Sequence, residues 1–503
     1  MSTQTARGNV TTADLRRVGA RFAAAPGLVL LLVCLGQFMV ILDVSVVNVA
    51  LPSIRNDLGF SASGLQWVVN AYALTFAGFL LLGGRAADLF GRRRLLLIGL
   101  TLFSIASLLD GLASSQLELV VARALQGFGG AVLMPATLTI VIATYPEGRA
   151  RARALGIWSA VAAAGGASGA LLGGIITQYL TWRWVFFINL PIGIAVLIAA
   201  SLFVAEGAGN PAGRRHIDLA GAFTVTAGLV AVTWGIVRSQ AAGWGSPEVL
   251  GAFAAGLALL AVFVFIEARL AKAPLVPLRL FSSRSITGAN LVAFGVGAAL
   301  FSVWYFQSLY LQSIRGMSPL AAGLTFLPQT LAIVVGSQIS SRLMPRFGAR
   351  PFLVAGPLLI AAGLLWLAQI SVGPAIWSSV LIPGALLTLG AGMAFPAVTV
   401  AATAGVPRSE SGLASGVVNT SRQVGGSLAL AALATLAADH AAALVQTGHP
   451  VPVALTGGFG LGFAAGAAIA VAAAISGLLV PGQSRRATPE RRVGAPEMEE
   501  AAA

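Results

Sequence analysis

The stretch Gly84-Arg85-Ala86-Ala87-Asp88-Leu89-Phe90-Gly91-Arg92-Arg93-Arg94 lies between two long apolar runs and decides how the chain folds. It gathers small residues, one acid and four arginines into a short segment. Arginine clusters of this kind are typical of the cytoplasmic loops of membrane proteins. We therefore predict a tight loop between two membrane-spanning helices, in which Gly84 and Gly91 allow the helices to approach closely.

The same pattern recurs 257 positions later in the chain. The segment from Ser341 to Arg350 follows another apolar run and aligns with the residues from Gly84 to Arg93. With that offset, the first six apolar runs fall on the last six. The repeat predicts two similar halves of six helices each, and parallel halves of this kind occur in transporters that bind a substrate between them.

The composition is that of a protein that faces lipid. Hydrophobic residues make up 57% of the 503 residues and charged residues only 10%, which is more apolar surface than one soluble core can bury. A helix needs about 20 apolar residues to cross the hydrocarbon core of a bilayer. Fourteen runs of about that length lie between Gly27 and Leu479, so an all-α membrane protein with 14 transmembrane helices is predicted.

The arginines also give an orientation. The net charge is +14, and all but one of the 31 basic residues are arginines. With the N-terminus inside, 25 of the 31 fall on the inner side, four on the outer side and two, Arg123 and Arg422, within spans. By the positive-inside rule both termini are expected in the cytoplasm. The basic residues thus indicate membrane orientation and not a surface that binds nucleic acid.

These patterns divide the chain into five segments. The predicted order is a cytoplasmic N-terminal segment 1–26, a six-helix bundle 27–205, a linker with an inserted helix pair 206–284, a second six-helix bundle 285–480 and a disordered cytoplasmic tail 481–503. The inserted pair, from about Asp218 to Ala268, accounts for the two helices that the repeat leaves over.

The sequence offers little of the chemistry that an enzyme needs. The single cysteine, Cys34, lies inside an apolar run, and the three histidines are His216, His440 and His449. Nothing in the sequence has the spacing of a metal site, a phosphate-binding loop or a nucleophile elbow. We therefore expect no catalytic residue, no metal and no cofactor, and the lack of a nucleotide site favours a proton or other ion gradient as the driving force.

Asp43 and Arg123 stand out because both lie deep within apolar runs. An ionisable side chain at that depth costs about 2.5 to 3.5 kcal/mol even on the lenient insertion scale, and it usually has a function. Asp43 is interpreted as a proton-coupled carboxylate; the alternative is a neutral acid hydrogen-bonded to Asn48 or to another span. The alternative for Arg123 is a structural role in which it pairs only with backbone carbonyls. Arg422 and Gln423 form a weaker second pair.

Three further acids lie near the predicted ends of spans. We expect water to reach Asp110 and Glu118 at the outer ends of the third and fourth spans, and Glu267 to form a surface ion pair near Arg269. Asp43 would then be the one acid deep inside a span and the one group that attracts a cation.

The opening stretch resembles the loop signature of the major facilitator superfamily, Gly-x-x-x-Asp-x-x-Gly-Arg-Arg/Lys-Arg/Lys, at each of its defined positions. The segment from Arg123 to Ala131 is similar to the fourth-span motif of that family. The spacing of its fifth-span antiporter motif is matched by Gly156, Gly165, Gly169, Gly173 and Gly174. The segments from Phe38 to Ile54 and from Trp182 to Gly193 are similar to those of its fourteen-span drug:proton antiporters.

This resemblance implies a major facilitator fold, with two six-helix bundles and two inserted central helices. It implies proton coupling by Asp43, Arg123 and Gln126. The spacing of the opening stretch itself indicates a gating role for Gly84, Arg85, Asp88, Gly91, Arg92 and Arg93, in which Asp88 holds the inner gate closed by pairing with an arginine or capping a helix of the other half. The alternative is an ordinary positive-inside loop. Ala170 stands where the antiporter motif usually has proline, so the kink that a proline would impose is missing.

An apolar cavity with a few hydrogen-bonding groups is predicted between the halves. Its candidate residues are aromatic and amide side chains on the spans expected to line it: Gln37, Phe38, Trp67, Asn70, Phe306, Gln307, Phe395, Asn419 and Gln423. The alternative for each aromatic residue is packing or lipid contact, since Trp and Phe are common in spans.

Together these features predict a monomeric, proton-coupled antiporter of the bacterial plasma membrane. It would export lipophilic or cationic drug-like compounds by alternating access, without nucleic acid as a partner. One alternative is a dedicated exporter of one antibiotic, metabolite or lipid. The alternative outside transport is a membrane sensor that binds a ligand without moving it.

Overall fold

The computed structural model describes residues 26–61, 63–206, 218–373, 375–406 and 410–482. Within these ranges fourteen helices are long and apolar enough to cross a membrane, which confirms the predicted number. The predicted N-terminal segment, most of the central linker and the tail beyond Gly482 lie outside the described residues.

The helices of the first half are α1 Pro26–Leu58, α2 Trp67–Phe90, α3 Arg92–Leu112, α4 Gln116–Thr144, α5 Arg149–Tyr179 and α6 Asn189–Phe203. The inserted pair is α7 Leu219–Ala242 and α8 Pro247–Phe265. The second half contains α9 Arg284–Leu309, α10 Pro319–Phe347, α11 Arg350–Leu367, α12 Ile382–Thr403, α13 Ser411–Gln446 and α14 Val451–Gly477. Short π-helical turns extend three of them: Ile266–Leu270 after α8, Tyr310–Ile314 after α9 and Trp377–Leu381 before α12.

The loop predicted from Gly84 to Arg94 is almost entirely helical. Helix α2 continues to Phe90 and α3 begins at Arg92, so Gly91 alone turns the chain. Its φ of 102° lies in the region that favours glycine, because a side chain there would clash with the backbone. The prediction of a loop at Gly84 is therefore wrong, since this residue lies within α2, beside Pro135 of α4.

The two halves pack in corresponding ways, as the repeat predicts. In the first half α4 packs on α2 and α3, and α1 packs on α5; in the second half α12 packs on α10 and α11, and α9 packs on α13. The contacts between the halves run mainly between α5 and α10 and between α2 and α13. Glycines permit this packing: Gly129 of α4 lies against the backbone of Phe103, and Gly392 of α12 lies against that of Ile333.

The inserted pair lies beside both halves. Helices α7 and α8 pack on each other, and α7 also contacts α2 of the first half and α13 of the second. Gly78 of α2 leaves room for the Thr226 side chain of α7. Large side chains of α8, such as Leu257 and Phe265, are exposed, as expected of a helix whose outer face contacts lipid.

Glu267, just beyond α8, does not form the predicted surface ion pair with Arg269. It is buried, with 6% of its surface exposed. Its carboxylate accepts hydrogen bonds from the backbone N–H groups of Leu275 and Val276, at 3.2 and 3.1 Å. The chain that leaves the π-helical turn folds back over the carboxyl group, so two backbone donors contact it in place of an arginine.

The halves are joined by hydrogen bonds at the end of the molecule that has few arginines, which we call the arginine-poor end. Ser308 Oγ donates to the carbonyl of Asn48 at 2.6 Å, and Gln312 Nε2 donates to that of Val49 at 2.9 Å. Nearby, Leu320 N–H donates to Gln178 Oε1 at 3.2 Å. These contacts close the space between the halves on that side. The opposite, arginine-rich end contains the turn at Gly91.

The orientation is tested by cysteine labelling in a background in which the buried Cys34 is replaced by alanine. Because the positive-inside rule puts the arginine-rich end in the cytoplasm, an impermeant maleimide added to intact cells should label Gly245→Cys and His449→Cys. It should label Lys272→Cys only after the cells are opened. Labelling of Lys272→Cys in intact cells would show that the orientation is the opposite of the predicted one.

Candidate functional site

A cluster of polar side chains lies inside the first half, centred on Asp43 of α1. Each of its charged members is shielded from solvent: 0% of Asp43, 2% of Arg123 and 0% of Asp110 is exposed. The cluster draws side chains from α1, α3, α4 and α6. Charged groups at this depth require partners, because hydrocarbon offers none.

Asp43 and Arg123 form a direct ion pair. Arg123 Nη1 lies 2.6 Å from Asp43 Oδ2, which is the short distance of a charge-assisted hydrogen bond. Arg123 Nε also donates to the backbone carbonyl of Val68 at 2.9 Å. The guanidinium lies over the ring of Tyr72, 4.5 Å from its centroid, and within 5.6 Å of the ring of Phe186.

Amides complete the coordination of the Asp43 carboxylate. Gln126 Nε2 donates to Asp43 Oδ1 at 2.9 Å, and Asn189 Nδ2 donates to the same oxygen at 3.1 Å. Both amides also contact Ser107 Oγ, at 2.6 and 3.0 Å. Gln126 Oε1 in turn accepts from Arg123. The predicted grouping of Asp43, Arg123 and Gln126 is thus one hydrogen-bonded network, which with Ser107 and Asn189 extends across four helices.

The alternatives for these residues match the geometry only in part, because Asp43 is buried and hydrogen-bonded to other spans, whereas Arg123 does not pair only with backbone carbonyls. Asn48 donates to the backbone carbonyl of Val44 at 2.9 Å and has no hydrogen bond to Asp43. Arg123 bonds one backbone carbonyl, but its main partner is a carboxylate. Sequence reasoning did not include Ser107 and Asn189 in the site. Each is a polar residue inside an otherwise apolar run, and this is the signal that could have identified it.

Asp110 differs most from its prediction. It lies two residues from the end of α3, where contact with water was expected, yet 0% of it is exposed and neither carboxylate oxygen has a hydrogen-bond partner. It interacts electrostatically with both Arg123 and Asp43. The short helix Trp184–Phe187 packs on α3, and the Phe187 ring lies against Gly111. This packing excludes water from a residue near the helix end. Glu118, by contrast, is exposed as predicted and accepts from Ser114 N–H at 2.8 Å.

The glycines of the antiporter motif hold α5 against the turn of α1 that carries Asp43. A Cβ on Gly165 would lie 3.3 Å from the carbonyl of Phe38, and one on Gly173 would lie 2.8 Å from that of Val46. Gly169 faces Ser45, whose hydroxyl donates to the carbonyl of Gly165 at 3.2 Å. Side chains at these positions would push the two helices apart.

The same helix also touches the other half. A Cβ on Gly174 would lie 2.7 Å from the carbonyl of Pro319 in α10, and Gly323 of α10 lies against the carbonyl of Ala170. Ala170 occupies the position where the family motif has proline. Its small side chain is compatible with this contact, so close packing is kept without a proline.

A small cavity lies in the second half among α9, α12 and α13. It has a volume of about 70 Å³, and its lining includes Phe395, Thr399, Ser415, Asn419 and Arg422. Of the predicted cavity residues, Phe395 and Asn419 thus line a described cavity. Arg422, which was predicted only as part of a weaker pair, supplies its charge.

The other predicted cavity residues lie elsewhere in this conformation. Phe306 packs against Phe459 and Phe463, with ring centroids 5.4 and 5.5 Å away, so the packing alternative holds for it. Gln307 accepts a hydrogen bond from Gln329 Nε2 at 2.9 Å inside the second half. Gln37, Asn70 and Gln423 are buried, whereas Phe38 and Trp67 are partly exposed.

The predicted gating residues lie at the arginine-rich end. Arg85 is exposed and Arg92 is partly exposed. Arg93 contacts the backbone carbonyl of Ser201 at the end of α6 and lies 3.6 Å from the Glu206 carboxylate. The side chain of Asp88 lies outside what the structure describes, so its predicted role in the gate stays a prediction.

Two repeated six-helix bundles that contact each other, with a charged network buried in one of them, are the architecture of a membrane transporter. Comparison with known proteins supports this class. The family model of the Major Facilitator Superfamily matches residues 33–430. The chain belongs to that superfamily, and it is a multi-pass membrane transporter and not an enzyme.

Its relatives include exporters and resistance proteins of bacteria. The chain is 44% identical to a cephamycin export protein of Amycolatopsis lactamdurans, over 81% of this chain and 84% of that protein. It is 39% identical to a puromycin resistance protein of Streptomyces alboniger, over 88% of each chain. A solved structure of a bacterial homologue of the human lysosomal transporter Spinster, in an inward-facing and unoccupied conformation, has the same fold. Its TM-score is 0.66 at 19% identity, over 90% of this chain and 96% of that one.

The α1–α5 contact is tested by two matched glycine substitutions. Gly173→Ala places a methyl group against the backbone of Val46, and overpacking of this kind costs about 1 to 3 kcal/mol, so lower thermal stability and slower transport are expected. Gly166→Ala is the control, because no atom of a neighbouring residue lies within 4 Å of a Cβ there. Unfolding temperature in detergent and counterflow in proteoliposomes measure both effects. Equal behaviour of the two variants would mean that the close contact has no role.

Proposed function

We propose that the protein is a proton-coupled exporter that moves amphipathic drug-like or antibiotic molecules out of the cell in exchange for protons. The observation that carries the proposal is the buried network of Asp43, Arg123 and Asp110. It contains two carboxyl groups and one guanidinium, all shielded from water. Such a group of side chains is a site at which one proton can be held or released.

The charges within the network favour a bound proton. With both carboxylates ionised, the network would carry one uncompensated negative charge in a region without water, which is costly. Arg123 pairs with Asp43 at 2.6 Å, and Asp110 has no hydrogen-bond partner. Asp110 is therefore the carboxyl group that we expect to carry the proton in this conformation, because the neutral form needs the least compensation.

The position of Asp110 indicates the side of the membrane from which a proton would reach the network. It lies two residues from the arginine-poor end of α3. Arg123 lies seven residues into α4, roughly 10 Å from the start of that helix at 1.5 Å per residue, whereas Asp110 lies roughly 3 Å from the end of α3. A proton that enters from the outer side would reach Asp110 first and Asp43 afterwards. Transfer to Asp43 would weaken its ion pair with Arg123, since a neutral carboxyl no longer attracts the guanidinium.

Helix α5 connects this site to the other half. Its glycines pack on the turn of α1 that carries Asp43, and its residues Ala170 and Gly174 pack on α10. We propose that a change in the Asp43–Arg123 contact moves α1 against α5, and so alters the contact with α10 that closes the arginine-poor end. Close backbone packing makes such movements discrete and not gradual.

The substrate class rests on the relatives and on the cavity. A cephamycin export protein and a puromycin resistance protein share 44% and 39% identity with this chain. In the sequence analysis cationic substrates were expected because Asp43 would attract a cation. That reason no longer holds, because Asp43 is fully buried and already paired with Arg123. A dedicated exporter of one antibiotic is the second candidate, and the identity with the cephamycin export protein favours it.

Proton coupling is tested by replacing Asp110 with asparagine, which keeps the shape and removes the titrating group. In proteoliposomes, Asp110→Asn should lower transport driven by an imposed pH gradient at least tenfold and should leave counterflow without a gradient within threefold of wild type. Asp43→Asn should also stop gradient-driven transport, and its unfolding temperature in detergent is measured beside it, because the substitution leaves Arg123 without its ion-pair partner. Glu118→Gln is the control, since Glu118 is exposed in the same region. Gradient-driven transport at the wild-type rate by Asp110→Asn would exclude it as the proton carrier.

The breadth of the substrates is tested by resistance profiling of a host with and without the gene. A drug exporter should raise the inhibitory concentration of several unrelated compounds at least fourfold, because an apolar cavity with few polar groups selects weakly. A dedicated exporter should protect against one structural class only. The Asp110→Asn variant serves as the inactive control in the same host.

A further inference from the structure

Arg422 is a second charged side chain within a membrane-spanning helix, and it lies in the half without the buried carboxylates. It is the twelfth residue of α13, about 16 Å from the first residue of the helix at 1.5 Å per residue. An arginine at this depth is costly unless it faces a partner or a water-filled space, and it commonly marks a substrate pathway.

Arg422 has polar and aromatic contacts but no acid beside it. Its Nη2 donates to Asn419 Oδ1 at 2.9 Å, and the guanidinium lies 5.4 Å from the centroid of the Phe395 ring. Both neighbours also line the cavity. Among the described ion pairs, Arg123 has its aspartate, whereas Arg422 takes part in none.

The sequence itself rules out a carboxylate partner within the second half. Between Arg284 and Pro481 the only acids are Glu410 and Asp439. Along α13 they lie roughly 18 and 25 Å from Arg422 at 1.5 Å per residue, far beyond the reach of an ion pair. Glu410 is moreover paired with Arg279 at 2.6 Å.

The facing helix of the first half offers no described carboxylate either. Helix α2 meets α13 where Thr420 contacts the carbonyl of Ala77 and Gly416 contacts the Leu81 side chain. The only acid of α2 is Asp88, which follows Ala77 by eleven residues, roughly 16 Å along the helix. Asp43 and Asp110 are enclosed in the first half and do not reach the cavity.

The cavity beside Arg422 has the size of a functional group. Its volume of about 70 Å³ compares with about 30 Å³ for one water molecule in the liquid. A carboxylate or sulfonate group fits this space, with Arg422 and Asn419 as donors and the Phe395 ring beside the apolar part of the molecule. Arginine is well suited to such groups, because its planar donors match two acceptor oxygens.

We propose that Arg422 and Asn419 form the subsite that binds an anionic group of the transported molecule, so that amphipathic organic acids are the preferred substrates. This inference rests on the proposed export function and names its substrate class. The acid group of the substrate supplies the negative charge that the second half lacks. The two halves then differ in role: the first binds the proton and the second binds the anion.

The test compares two dyes that share a xanthene ring system and differ in charge: fluorescein, an anion, and rhodamine 6G, a cation. Binding to the purified protein in nanodiscs is measured by fluorescence anisotropy at pH 7.5, without any gradient. Wild type should bind fluorescein, Arg422→Gln should bind it at least tenfold more weakly, and Arg422→Lys should fall between them. Arg238→Gln, which removes an arginine of the inserted pair, should bind like wild type.

The opposite outcomes overturn the proposal. Failure of wild type to bind fluorescein, or equal binding by wild type and Arg422→Gln, would exclude an anion subsite at Arg422. An equal loss of rhodamine 6G binding would indicate general damage and would also exclude it. If Arg422→Gln does not fold, wild type is used in competition: 2-naphthoate should displace fluorescein at least tenfold better than 2-naphthylmethanol. Because no gradient is present, a failure of proton coupling leaves this result unaffected.

Discussion

The contact between Asp43 and Arg123 is the constraint on which the first half depends. Neither charge can be left alone in hydrocarbon, where a single ionised side chain costs about 2.5 to 3.5 kcal/mol on the lenient insertion scale. The remaining contacts follow from this need. Gln126 and Asn189 donate to the carboxylate, and a backbone carbonyl and two aromatic rings surround the guanidinium. Four helices are thereby tied to one point, so a change of charge there affects all of them.

Close packing determines how such a change can travel. Helix α5 has glycines on one face toward α1 and small residues on another face toward α10. Beyond α1, only this one helix therefore separates the charged network from the other half. No flexible side chain intervenes to absorb a movement at Gly173 or Gly174. A helix packed in this way shifts as a body, which is the behaviour that alternating access requires.

The repeat gives the halves the same helices, yet the charges inside them differ. The first half has a surplus of carboxyl groups beside Arg123, and the second has Arg422 with no acid near it. In the proposed mechanism a proton satisfies the first and an anion satisfies the second. The fold thus supplies two similar scaffolds, and a few buried positions place different charges in them. Function is therefore decided by the site and not by the repeated architecture.

The sequence by itself determined the membrane class, the fourteen helices, the repeat and the position of Asp43 and Arg123 inside spans, because apolar length and isolated charges act locally along the chain. Only the tertiary structure decided which charges meet. Asp110 was expected to be solvated because it lies near a helix end, but the short helix before α6 covers it. Glu267 was expected at the surface, but the following chain folds over it. Likewise, Arg422 lies beside a cavity formed by three helices distant in sequence. Burial and pairing depend on such distant neighbours, and no local pattern records them.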